Sequence, residues 1–143
     1  MLSEKGFSLI EVLVSLSILS ISVIAISYFF TQANEVSAGN NSKLVATNLA
    51  RMTLVRVQHD YTSFGITKTA KVYNQSNCNP TGCQPLYEST INNKKYDIDI
   101  TVRSQTTEEA EIKLFPVTIK VNYKTMRNNL KSTIVEGYVT DAN

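Results

Sequence analysis

The chain has one histidine and two cysteines in 143 residues, with five glycines and three prolines. A single histidine, His59, leaves little for metal chemistry, and two cysteines are too few for a disulfide framework. Cys78 and Cys83 lack the Cys-x-x-Cys spacing of redox catalysts. Zinc would need two more ligands than these cysteines supply. Charge of one sign is also scarce: 14 cations against 12 acids give a net charge of +2, a weak attraction for any polyanion. His59 has Asp60 beside it, but no motif frames a nucleophile, so a surface or helix-end histidine is the expectation. Asp97 and Asp99 fall on one strand face, which a solvated surface explains better than an acid/base pair. No catalytic residue, metal site or cofactor is therefore assigned. There is no internal repeat and no low-complexity segment.

From Phe7 to Phe30, glycine and proline are absent altogether, and the only charge is Glu11. At 1.5 Å per residue this run is long enough to cross a hydrocarbon core of roughly 30 Å. A conventional secretory signal has a shorter apolar stretch followed by small residues at a cleavage site. Here Thr31-Gln32-Ala33-Asn34-Glu35 continues in helical fashion instead. Lys5 precedes the run and Lys43 is the first cation after it, which weakly places Met1 in the cytoplasm and the bulk of the chain outside. Serines at 8, 15, 17, 20, 22 and 27 can bond back to helix carbonyls or offer small surfaces for helix–helix approach. Glu11 stands out, because a carboxylate at mid-membrane costs on the order of 3 kcal/mol.

About 110 residues follow Phe30, enough for one compact domain. Helical spacing continues to near Tyr61, and Leu44, Thr47/Asn48, Met52 and Val55 fall near one face. The stretch Ser37-Ala38-Gly39-Asn40-Asn41-Ser42 is its weak point. It leaves two outcomes: one long helix, which is favoured, or a break with Ser42 capping a second helix. Residues 65–85 are loop-like, and Asn79-Pro80-Thr81-Gly82 suits a type I turn. Tyr87–Ile91, an Asn92-Asn93 turn and Lys94–Arg103 read as a hairpin, and residues 105–109 as a polar connection. A strand over Val117–Lys124 begins at or after Pro116, Met126–Asn129 turn the chain, and Lys131–Thr140 form the last strand. The predicted fold class is α+β: one long N-terminal helix packed on a small antiparallel sheet.

The junction MLSEKG|FSLIE, the flanking apolar helix and the single Glu11 together resemble the class III signal of type IV pilins and type II secretion pseudopilins. The resemblance is strong over residues 1 to about 35. Val117-Thr-Ile-Lys-Val121 and the final strand also resemble the C-terminal sheet of PilV/GspI-like minor pilins. It implies that a membrane prepilin peptidase cuts after Gly6 and methylates the new amine of Phe7. Residues 1–6 would be the leader, 7–30 the transmembrane and assembly helix, and 31–143 the globular domain. Glycine suits the cut because no side chain obstructs the peptide. Glu11 would pair with the Phe7 amine of an adjacent subunit, and processing would create that partner. The implied partners are other pilins or pseudopilins, the peptidase, a membrane assembly platform and, before assembly, the bilayer. The implied localisation is the cytoplasmic membrane and then an extracytoplasmic filament. Many major pilins carry a helix-kinking proline where this chain has Tyr28. That departure favours a minor pilin, or a pseudopilin of secretion or competence DNA uptake, over a bulk subunit. A membrane-anchored enzyme is the third class, and it would need an outer constellation of catalytic residues.

Outside the cytoplasm, a disulfide between Cys78 and Cys83 is expected, with free thiols as the alternative. Lys113, Lys120, Lys124, Arg127 and Lys131 meet no acid between Ile112 and Val135, and the last four are the candidate basic contact surface. Some competence-linked minor pilins bind DNA through basic surfaces, but a solvated face accounts better for these four, since Tyr123 is alone on the strand.

Overall fold

A computed structural model describes residues 6–67, 69–78 and 82–140. Contacts divide the chain into two units, Met1–Ala38 and Gly39–Asn143. The first unit holds the N-terminal part of helix α1, which as an element runs Leu9–His59. Nothing in the apolar run breaks it. Ser15, Ser17, Ser20, Ser22 and Ser27 each donate to the carbonyl four residues back, at 2.7–2.9 Å. By length and composition α1 can cross a membrane, with a mean hydropathy of 2.5 in its most apolar window.

Helical structure continues through Gly39, so Ser42 is not a cap. Ser42 is instead buried in the second unit, where Lys94 Nζ donates to its hydroxyl at 2.8 Å. The helix ends at Asp60, whose carboxylate accepts from the backbone N–H groups of Thr62 and Ser63, both at 3.1 Å, and from both hydroxyls. These bonds favour the ionised form and pull the Asp60 pKa from its ordinary 3.8 to about 2.

The second unit is built on three long antiparallel strands: β3 (Lys94–Val102), β4 (Leu114–Lys124) and β5 (Leu130–Thr140). Two short strands, β1 (Val72–Tyr73) and β2 (Glu88–Ile91), pair along the other edge of β3. The order is therefore β1 or β2, then β3, β4 and β5. The β2–β3 turn is Asn92-Asn93 with φ of 51° and 59°, the left-handed pair that a tight hairpin requires. Period-two alternation sends Tyr96, Ile98, Ile100 and Val102 inward from β3, and Phe115, Val117, Ile119, Val121 and Tyr123 inward from β4. Two T-shaped ring pairs, Tyr61–Phe115 and Phe64–Tyr87, close the end of this core. Burial pushes the Tyr87 hydroxyl's pKa well above its usual range, and that hydroxyl donates to the Phe64 carbonyl at 2.6 Å.

The helix face that meets the sheet differs from the predicted one. Ser42, Ala46, Leu49, Ala50, Thr53 and Val57 are buried, whereas Leu44, Met52 and Val55 are 61%, 53% and 62% exposed. The reason is volume. The sheet supplies tyrosines and phenylalanine, so the facing helix surface must be small. Gly137 shows how close the approach is: a Cβ there would lie 2.7 Å from Leu54 Cδ2.

Three further differences have local causes. The polar connection contains helix α2 (Thr107–Glu111), because Thr106 and Glu109 form a reciprocal capping box. Strand β4 starts at Leu114, ahead of Pro116. Pro116 faces Tyr138 on β5, but its own carbonyl accepts from Arg103 N–H at 3.1 Å on the other side, just past the end of β3, so the N–H that proline lacks falls beyond the β3–β4 ladder. The loop-like region 65–85 contains β1 and the start of a 3₁₀ turn over Gln84–Tyr87. The turn predicted over Asn79–Gly82 lies largely outside the described residues.

Candidate functional site

The first turn of α1 collects three of the expected site residues. Gly6 and Phe7 precede the helix and are exposed, and Met1–Lys5 lie outside the described residues. Glu11 does more locally than its lone charge suggested. Ser8 N–H donates to Glu11 Oε2 at 3.2 Å, Ser8 Oγ donates to the same oxygen at 3.3 Å, and Glu11 N–H donates to Ser8 Oγ at 3.3 Å. With α1 starting at Leu9, Ser8 is the N-cap and Glu11 the third helical residue, a reciprocal capping box. The missed signal was legible as Ser8-x-x-Glu11. The box satisfies two of the helix's four orphan N–H groups, which matters most where water is scarce. It engages only Oε2 and, among the described residues, leaves the second carboxylate oxygen for another donor. A shallow groove beside it is lined by Phe7, Glu11, Val12, Ser15, Leu16 and Leu19.

The remaining sequence-derived residues lie in the second unit and form no common site. Cys78 and Cys83 are joined by a disulfide with Cα atoms 6.0 Å apart, and Cys83 is buried in the core. Lys120 and Lys124 lie on the outer sheet face opposite Ile134 and Leu130, Arg127 sits in the β4–β5 turn, and Lys131 is on the other face opposite Tyr123. Asp99 faces Lys120 in the register and accepts from Asn122 at 2.7 Å. Asp97 meets Lys95 at 3.4 Å, and Lys95 meets Glu88 at 2.9 Å. These aspartates are thus parts of outer-face polar contacts. His59 is exposed at the last turn of α1. Among the described residues, no cluster of three or more His, Cys, Asp or Glu side chains could hold a metal ion.

A long N-terminal helix with an antiparallel five-strand sheet is an α+β, pilin-like architecture. Residues 1–27 match the prokaryotic N-terminal methylation motif, which supports a type IV pilin-like protein. The match covers Gly6 and Phe7, the capping box and most of the apolar run. No curated protein and no solved structure matches the chain.

Proposed function

We propose that this chain is a minor type IV pilin of the PilV/GspI-like kind, a structural subunit that enters, primes or caps a filament after prepilin peptidase cleavage. The observation that carries the reading is the unpartnered outer surface of α1. Every described apolar side chain from Phe7 to Phe30 that is large is exposed, and in the second unit Leu44, Met52 and Val55 are exposed as well. Burying such surface stabilises association by about 25 cal/mol per Å². Neighbouring α1 helices would supply the matching faces, with the bilayer covering the span beforehand.

In this reading residues 1–6 are the leader, 7–30 the assembly helix and 31–143 the exported domain. Gly6 and Phe7 form the cut site, Phe7 carries the methylated amine, and Glu11 addresses the amine of a neighbour. The N-terminus faces the cytoplasm until cleavage, and the domain ends on the outer side. The uninterrupted helix at Tyr28 supports a minor or pseudopilin role over that of a bulk subunit. The test is intact-mass analysis of native protein from membranes and from sheared filaments. A chain beginning at N-methyl-Phe7, present in the filament fraction, is the expected result. An intact Met1, or a cut beyond Phe30, overturns the reading.

A further inference from the structure

Three Asn-x-Ser/Thr triplets occur in the chain: Asn40-Asn41-Ser42, Asn74-Gln75-Ser76 and Asn79-Pro80-Thr81. Such a triplet is the acceptor pattern for a sugar on the asparagine amide, provided that the middle residue is not proline. Pro80 excludes the third. The first lies inside α1, where Ser42 is 4% exposed and its hydroxyl accepts from Lys94. A transferase could reach that hydroxyl only by unpacking the helix from the sheet. Asn74-Gln75-Ser76 stands in the turn after β1, with Gln75 and Ser76 exposed.

This turn is built around the asparagine side chain. Asn74 Oδ1 accepts from the backbone N–H of Ser76 at 3.0 Å and of Asn77 at 3.3 Å. Asn74 N–H donates to Asn77 Oδ1 at 2.8 Å, and Asn77 Nδ2 donates to the Val72 carbonyl at 2.7 Å. These bonds all lie between Val72 and Asn77, so the shape is set locally. Among the described residues, neither Asn74 Nδ2 nor the Ser76 hydroxyl has a hydrogen-bond partner. An amide nitrogen is a weak nucleophile, because its lone pair is shared with the carbonyl. Two N–H donors on Oδ1 stabilise the negative charge that gathers there as Nδ2 loses its proton. The Ser76 hydroxyl, donor and acceptor both, is left for an enzyme to read. Asn40 has no such arrangement, because N–H groups inside a helix are spent on carbonyls four residues back.

We propose that Asn74 is an N-glycosylation site. The donor is a sugar activated as its anomeric diphosphate, carried on a polyprenyl lipid or on a nucleotide. Nδ2 attacks the anomeric carbon and the N–C bond forms. The C–O bond to the diphosphate breaks, its electron pair leaves with the diphosphate, and an Nδ2 proton passes to a base of the transferase. The site does not require the chain to be cut after Gly6 or to enter a filament.

The test is peptide mapping of the full chain isolated from its native cells. Electron-transfer fragmentation of the tryptic peptide Val72–Lys94 should place a saccharide mass on Asn74. Asn74→Gln and Ser76→Ala should each abolish it, and Ser76→Thr should retain it. Ser76→Ala keeps the backbone N–H that Asn74 Oδ1 uses, so loss there reports recognition of the hydroxyl with the turn intact. Asn40→Gln should leave the modification unchanged. Brief treatment of the cells with tunicamycin, which blocks loading of the polyprenyl carrier, separates the donors. Loss of the saccharide from newly made chain assigns the lipid-linked donor, retention assigns the nucleotide sugar, and both support the site. A bare Asn74 in the native protein, a saccharide that survives Asn74→Gln or Ser76→Ala, or one linked to the Ser76 hydroxyl overturns the proposal. The readout is an internal peptide, so it is independent of whether the chain begins at Met1 or at Phe7.

Discussion

The Glu11 carboxylate closes the capping box with Ser8 through Oε2. The proposed function gives it a second role, pairing with the amine of a neighbour, and one pair of substitutions separates the two. Loss of an N-cap interaction costs about 1 kcal/mol. Two unit charges 4 Å apart gain about 4 kcal/mol at an effective dielectric near 20, before desolvation is deducted. That upper figure is roughly a thousandfold in an association constant, since each 1.4 kcal/mol is tenfold. Glu11→Ala removes both roles. Glu11→Gln keeps an oxygen for the Ser8 N–H, because glutamine serves in capping boxes, and removes only the charge. Ser8→Ala does the reverse. If intersubunit pairing dominates, Glu11→Gln should be as absent from filaments as Glu11→Ala, while Ser8→Ala assembles close to wild type. All three should still insert in membranes, since neutralising Glu11 relieves an intramembrane cost and Ser8→Ala leaves the apolar run unchanged. Immunoblots of membrane and sheared-filament fractions, with intact masses to check processing beside Ser8, decide it. Wild-type filament levels for Glu11→Gln together with failure of Ser8→Ala would refute the pairing argument and leave Glu11 as a helix cap.

Gly137→Ala should destabilise the second unit by about 1–3 kcal/mol in chemical denaturation, because the new methyl meets Leu54 at 2.7 Å, and Leu54→Ala should recover part of the loss. Reducing the Cys78–Cys83 disulfide should cost about 2 kcal/mol by the chain-entropy relation, with hydrogen exchange rising first around residues 72–88; unchanged exchange there counts against a structural role. Asp60, held at a pKa of about 2, contributes stability that is fully present above 3.8 and is lost as pH falls through about 2. Asp60→Asn should flatten that acid limb in a pH titration of unfolding, and an unchanged limb would place the acid sensitivity elsewhere.

Much of this fold was legible because its signals are local. Strand β3 and the inward half of β4 announce themselves by strict alternation, and Asn92-Asn93 by its tolerance of positive φ. The helix face was not legible, because the pattern of large apolar residues pointed to Leu44, Met52 and Val55. A sheet carrying Tyr73, Tyr96 and Phe115 needs a small facing surface, and only the packed structure reveals that Ala46 and Ala50 provide it. Pro116 misled for a related reason. Its cost depends on which way one N–H would point, and that depends on where β3 ends beside it. At the N-terminal site, the charge of Glu11 drew attention outward and hid the shorter-range partner at Ser8, although both capping-box positions stand in the sequence.

The hydroxyls of Ser15, Ser17, Ser20, Ser22 and Ser27 are spent on carbonyls of their own helix. In the proposed reading, a span whose serines are self-satisfied in this way would forfeit none of their hydrogen bonds when it slides lengthwise through lipid. Pulling on the outer domain would therefore meet a smooth hydrocarbon drag, without a ladder of separate catches. For the same reason, neighbouring rods cannot read their axial alignment from the middle of the span. Under the proposed function, alignment information would be concentrated in the Ser8–Glu11 turn, so a subunit would travel freely and be stopped at one place.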